Sequence, residues 1–277
     1  MLEYCANTTE QVWKEISVAT VFQEEQQGVK CTVEVDKPTN QHEEAEPADN
    51  QTMARYSIFF YYTADFEAAT TDIDGFIEEV LAETNQGYKN SGVPLEAYKF
   101  CQQRASVNDI LEGKKMLEEF TEMKGSTEAL RGSADVAVLL VDNMDSCGIA
   151  WLNSLPVKQT MSVVKKSCAV GYYSFGHEVG HNIGLHHDPA TDNNTDYNDG
   201  HGHLIAQGSA ATGYRTILAY HAKGHGDRVN YYSNPGIKYP DTGTATGTPG
   251  RSNNAALLMR NRMRLAAIGD ESGFCPN

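Results

Sequence analysis

Between residues 177 and 187 the chain reads His-Glu-Val-Gly-His-Asn-Ile-Gly-Leu-His-His, and no other segment restricts the fold as much. In a helix, residues four apart share a face, so His177 and His181 can turn their imidazoles to one point while Glu178 enters the same cleft. Two imidazoles on one helical turn suit zinc. Zinc takes neutral histidine nitrogens at about 2.0 to 2.1 Å in tetrahedral sites and keeps a fourth position for water where it is catalytic. Gly184 stands where this helix should end. A positive φ, easy for glycine, lets the chain turn back and bring His187 in as the third ligand. Glu178 is then placed to take a proton from a water on the zinc as it attacks a carbonyl, so the expected chemistry is hydrolysis. A closed structural zinc site would not require the glutamate beside the first ligand.

The surrounding sequence supplies a scaffold for such a helix. Tyr56 to Tyr62 is aromatic and β-branched and reads as a buried strand. Ile73, Phe76, Ile77, Val80 and Leu81 recur at helical spacing, which predicts a helix ending before Gly87. Val93 to Phe100 alternates like a strand, Ile110 to Phe120 has helical spacing, and Asp135 to Val141 is a continuous apolar run typical of a central strand. Gly148 to Leu152 and Met161 to Val164 are further strands. After the histidines the chain is rich in Gly, Asn, Asp and Pro until about Arg251, and Asn253 to Ile268 closes it as an amphipathic helix. The expected fold class is α/β: a twisted mixed sheet with helices in an N-terminal lobe (residues 55–184), then a loop-rich C-terminal lobe (185–277). Residues 1–54 carry eleven acidic residues against three lysines and a turn-rich stretch from Pro38 to Pro47, and are set apart as an acidic N-terminal segment.

The spacing His-Glu-x-x-His-x-x-Gly-x-x-His is the long signature of the metzincin metallopeptidases. The segments Arg55 to Thr63, Asn85 to Val93, Ala134 to Val141 and Cys147 to Ala150 resemble the reprolysin (adamalysin-like) branch, especially its bacterial members. The resemblance covers roughly residues 55–268. It implies a metzincin-like fold and a zinc endopeptidase acting on protein or peptide substrates. Asp188, directly after the third histidine, matches a residue of that branch that supports the metal region without binding the ion. The methionine that metzincins hold in a turn under the zinc is replaced here by Leu218, an exchange of similar volume at an apolar, non-ligating position. Tyr220 stands where related astacins and serralysins carry a tyrosine that steadies the oxyanion; the alternative is a packed aromatic. Gly148, Ile149, Ala150 and Trp151 resemble the edge strand that pairs with substrate, and the segment with Tyr232, Asn234 and Pro235 resembles the wall of the pocket for the residue after the scissile bond. The remaining nearby histidines, His186, His201, His203, His221 and His225, read as solvated loop residues.

A formal net charge of -15 makes nucleic acid or an anionic membrane surface an improbable partner. Apolar runs such as Val136 to Val141 are too short to span a bilayer, and Met1 to Cys5 lacks the features of a signal peptide, as in a processed or truncated form. Six cysteines without a C-x-x-C pair point to disulfides and a secreted protein, with Cys147 and Cys168 the expected pair. Asn7, Asn50 and Asn193 begin short glycosylation patterns of little weight. Two other readings fit the same residues. One is a catalytically weakened peptide-binding protein; the other is a latent zymogen in which the N-terminal segment inhibits, with Cys5 or Cys31 capping zinc.

Overall fold

A strand that is apolar on both sides needs cover on both faces of its sheet. The computed structural model describes residues 3–5, 20–23, 31–33, 52–152, 159–192, 199–208, 212–270 and 275, and in it the sheet is covered in that way. The Pro38 to Pro47 stretch and the asparagines at 7, 50 and 193 lie outside these residues.

Three short strands come first: β1 (Glu3–Cys5), β2 (Thr20–Gln23) and β3 (Cys31–Val33). β1 and β3 form an antiparallel pair whose register sets Cys5 opposite Cys31. The main body follows as β4 (Ala54–Tyr62), α1 (Ala64–Ala69), α2 (Ile73–Asn90), β5 (Leu95–Arg104), α3 (Gly113–Glu122), α4 (Thr127–Arg131), β6 (Val136–Val141), β7 (Gly148–Leu152) and β8 (Met161–Lys165). Six strands make one mixed sheet in the order β2-β7-β8-β6-β4-β5. β5, β4, β6 and β8 are parallel, and β7 is antiparallel to both of its neighbours. One face packs Tyr56, Ile58 and Phe60 of β4 against Ile77 and Val80 of α2, and the other packs Phe59 and Tyr61 against Met116, Leu117 and Phe120 of α3.

A short α5 (Lys166–Ala169) and α6 (Ser174–Ile183) complete the first lobe. The rest is mostly loop, with β9 (Leu204–Ile205), β10 (Gly213–Arg215) and β11 (His225–Arg228) in a small sheet and α7 (Asn254–Leu265) packed on the body through Leu257, Leu258 and Leu265. Disulfides join Cys147 to Cys168 and Cys101 to Cys275. The first is the expected pair. No described helix is long and apolar enough to cross a membrane.

Two expectations are corrected. The helix that was to end before Gly87 continues to Asn90. Gly87 is a site of close approach, because a Cβ there would lie 2.5 Å from Asn230 Oδ1 and 3.2 Å from Ile217 Cδ1. Nor is β7 an open edge: β2 runs antiparallel along its outer side, pairing Gln23 with Ile149, Phe22 with Ala150, Val21 with Trp151 and Thr20 with Leu152.

Candidate metal centre

Every residue of α6 is buried, which fits a helix inserted between a sheet and a second lobe. Asn182 fastens it: Nδ2 donates to the carbonyls of Trp151 and Met161, both at 2.9 Å, tying the helix to β7 and β8. The helix stops at Gly184, whose φ of 100° lies in the left-handed region favoured by glycine. There the chain reverses, with Leu185 N–H donating to Gly180 O at 3.0 Å.

That turn brings three imidazoles together. The Nε2 atoms of His177, His181 and His187 lie 3.1, 3.2 and 2.9 Å apart, pair by pair. Nδ1 of His177 lies 2.7 Å from the Ile217 carbonyl and Nδ1 of His181 2.7 Å from the Leu185 carbonyl. A carbonyl only accepts, so these Nδ1 atoms carry the protons and the two Nε2 lone pairs face inward. Burial holds all three rings below the ordinary histidine range, His181 down to about 3, with the Arg228 charge acting in the same direction. Inward lone pairs on neutral rings repel unless a cation lies between them, and separations near 3 Å approach the edge of a tetrahedron with bonds of about 2.0 to 2.1 Å. The donor set therefore fits a metal ion. It is the sole three-ligand group of this kind among the described residues.

Glu178 is fully buried next to this group. Its carboxylate lies against the first residue of β7, where a Cβ on Gly148 would be 2.5 Å from both Cγ and Oε1. Below the triad, residues 216–219 make a tight turn closed by Ala219 N–H to Thr216 O at 3.0 Å. Leu218 is fully buried in it, 3.2 Å through Cδ2 from where a Gly180 Cβ would stand. Gly202 packs still closer, its Cβ position being 2.7 Å from Leu218 C. Tyr220 sets its ring 4.1 Å from that of His187, tilted by 40°, and stacks 6.2 Å from that of His177. Its N–H donates to Asp188 Oδ2 at 3.0 Å, and Asp188 also accepts from Thr191 Oγ1 and Ala190 N. Asp188 thus ties the loop after the third histidine to the turn.

Several residues sit elsewhere than their sequence suggested. His186 and His201 are not solvated but fully buried: His186 Nδ1 lies 2.7 Å from Asp192 Oδ2, and His201 Nδ1 donates to the His187 carbonyl at 2.8 Å. Trp151 turns into the core below the sheet and donates from Nε1 to Thr121 Oγ1 at 2.8 Å. Tyr232 does not line an open wall. It is fully buried, stacked on Tyr88 at 5.2 Å and donating to the Gly176 carbonyl at 2.9 Å. Asn234 is bound to Ser91 O at 2.9 Å and, like Pro235, is half-buried. Ile149 and Ala150 are buried, and their backbones face β2. The contacts of Asn182, Gly180, Gly202 and His201 around the triad and the turn are visible only in the fold.

A parallel-dominated mixed sheet, a helix with two inward-facing histidines, a glycine turn to a third and a tight turn beneath define a metallopeptidase of the metzincin type. The Reprolysin_5 model of metallo-peptidase family M12 matches residues 52–233, and the chain belongs to that family. A peptidyl-Asp metalloendopeptidase of Stenotrophomonas maltophilia (strain K279a) is 31% identical over 240 residues, covering 83% of this chain and 56% of the relative. One of Xanthomonas campestris pv. campestris is 30% identical, covering 71% and 47%, and one of Pseudomonas fragi 30%, covering 67% and 99%. The chain spans about half the length of the first relatives it matches. A chain from a solved chaperone–substrate complex has a similar fold, with a TM-score of 0.61 at 18% identity over 78% of this chain and 35% of that one.

Proposed function

We propose that this chain is a secreted zinc endopeptidase that cleaves peptide bonds next to an aspartate, with residues 55–277 as its catalytic domain. The observation that carries the reading is the inward-facing histidine triad with the buried Glu178 carboxylate beside it. His177, His181 and His187 would hold the ion, and zinc supplies Lewis acidity that acidifies water and polarises a carbonyl. Glu178 takes the proton of the attacking water and delivers it to the leaving amine. Gly148 leaves room for that carboxylate. The Tyr220 hydroxyl donates to the developing oxyanion; its ring packing on His187 supports that placement. Leu218 serves as the apolar base, and β7 offers its backbone to a peptide only where β2 leaves it. Two disulfides favour an oxidising compartment. The preference for aspartate rests on the peptidyl-Asp metalloendopeptidases among the relatives.

A peptide library incubated with the protein, with and without a chelator, tests all of this together. Cleavage beside aspartate is expected, abolished by the chelator and by Glu178→Ala. Cleavage that survives the chelator sinks the zinc reading.

A second reading, a latent form, has its own support in β2. An extended segment lying antiparallel on β7 takes the backbone groups that a peptide would use. On this reading, limited proteolysis within residues 1–52 raises the turnover of a short peptide. Turnover that stays the same after release of the segment excludes it. Labelling of free thiols in the unreduced protein tests whether Cys5 or Cys31 caps the metal on this reading.

A further inference from the structure

The backbone just before α6 is constrained. Gly171 has a φ of +75°, and Tyr173, a bulky residue, holds a φ of 59° that such side chains rarely adopt unless their surroundings impose it. Between them, Tyr172 is gripped by two arginines from the second lobe. Arg228 Nη1 donates to the Tyr172 carbonyl at 3.0 Å, and Arg215 Nη2 donates to its hydroxyl at 2.8 Å. Both guanidinium groups also lie against the ring, 4.8 and 5.3 Å from its centroid. Arg215 reaches the turn below the triad as well, donating from Nη1 to the Ala219 carbonyl at 3.0 Å. The arginines are 6% and 3% exposed and Tyr172 is 40% exposed, so the cluster meets solvent through the tyrosine.

Two like charges gathered at one ring raise the local positive potential, and the hydrolytic steps above use neither. The cluster joins two elements that frame the active centre: Arg228 holds the backbone just before α6, and Arg215 the turn beneath the triad. The rest of the molecule has the opposite character. At a net charge of -15, its overall field repels an acidic peptide, so selection of one needs a local cation near the scissile bond. A planar guanidinium matches a carboxylate better than an ammonium does, because it offers two parallel donors.

We infer that Arg228, held in place with Arg215 by their shared contacts to Tyr172, recognises the acidic side chain of the substrate residue beside the scissile bond. This rests on the aspartate-directed reading proposed above and names the groups that perform it. Arg228 is the specificity residue, and Arg215 and Tyr172 are positioning residues.

The test uses two peptides that differ only by Asp or Asn at that position. The wild-type protein is expected to favour Asp in kcat/KM, and Arg228→Gln to lower the Asp-to-Asn ratio by roughly ten- to a hundredfold, as loss of a charge-assisted pair implies. Arg228→Lys keeps the charge but not the fork and should fall several-fold below wild type. Arg215→Gln should give a smaller loss. Binding of the same peptides to Glu178→Ala, with and without Arg228→Gln, reads recognition without turnover, and bound zinc is measured in each variant. A wild-type preference for Asp that persists at its full ratio in the folded Arg228 variants overturns the inference and leaves the aspartate-directed reading standing. A wild-type protein that cleaves or binds both peptides equally overturns both. Should Arg228→Gln fail to fold, the Arg228→Lys ratio decides.

Discussion

The Glu178 carboxylate is confined by a residue with no side chain. Gly148 begins β7 directly over Glu178, and a Cβ there would meet Cγ and Oε1 at 2.5 Å. In Gly148→Ala either the strand or the carboxylate must shift. Since positioned proton transfer is typically worth about 10²- to 10⁴-fold, kcat is expected to fall at least about tenfold with zinc content unchanged. Steady-state kinetics beside metal analysis checks this; an unchanged kcat means the carboxylate has room elsewhere. Leu218 predicts the reverse. Restoring methionine at this buried, apolar position is expected to change unfolding free energy by less than about 1.5 kcal/mol, as measured by urea denaturation. At this scale the convergence of the three histidines was legible in the sequence because it is local: two lie on one helical turn and the third follows a glycine. The role of Gly148 was not, because its constraint comes from a residue thirty positions away and exists only after folding. Tyr232 misled for the same reason. Its position in a segment resembling a pocket wall said nothing of its ring being buried against Tyr88.

Among the elements, the apolar periodicities placed β4, β6, α2 and α7 because their pattern follows from the burial they achieve. The end of α2 was misread. Glycine usually weakens a helix interior, so Gly87 resembled a stop; its value lies in letting Asn230 and Ile217 approach the helix. Gly87→Ala therefore sets two effects against each other. Helix propensity favours alanine by roughly 1 kcal/mol, whereas overpacking typically costs about 1 to 3 kcal/mol. The contact at 2.5 Å lies below any real Cβ separation, so net destabilisation is expected, read as a lower urea midpoint. A higher midpoint would mean that Asn230 moves aside freely. Asn182→Ala tests the fastening of α6. Two carbonyls lose their donor in the core, for an expected loss of about 1 to 3 kcal/mol per group left unsatisfied, seen in the same unfolding experiment. The seat of β2 on β7 could not be read, because nothing in a polar, acidic segment indicates which strand edge it will pair with.

For the molecule as a whole, the face of the sheet that meets α6 holds three buried phenols. Tyr56 and Tyr88 share a hydrogen bond at 2.8 Å, and Tyr232 stacks on Tyr88 while its hydroxyl supports α6 through Gly176. Burial, the largest cause for each, raises all three above the ordinary tyrosine value of 10.0. The folded state thus prefers the protonated phenols. Their contribution is complete below pH 10 and is lost as pH rises beyond it, because the unfolded chain releases those protons more readily. Urea midpoints should hold to about pH 9 and fall by pH 11, and a flat profile would show that the phenols ionise in place. The bridge between Cys101 in β5 and Cys275, 174 residues later, encloses the metal helix, the turn and α7 in one covalent loop. A backbone cut anywhere within that loop leaves both pieces on the same molecule. The two pieces part only if the bridge is also reduced, so a nicked chain holds together for as long as its surroundings stay oxidising.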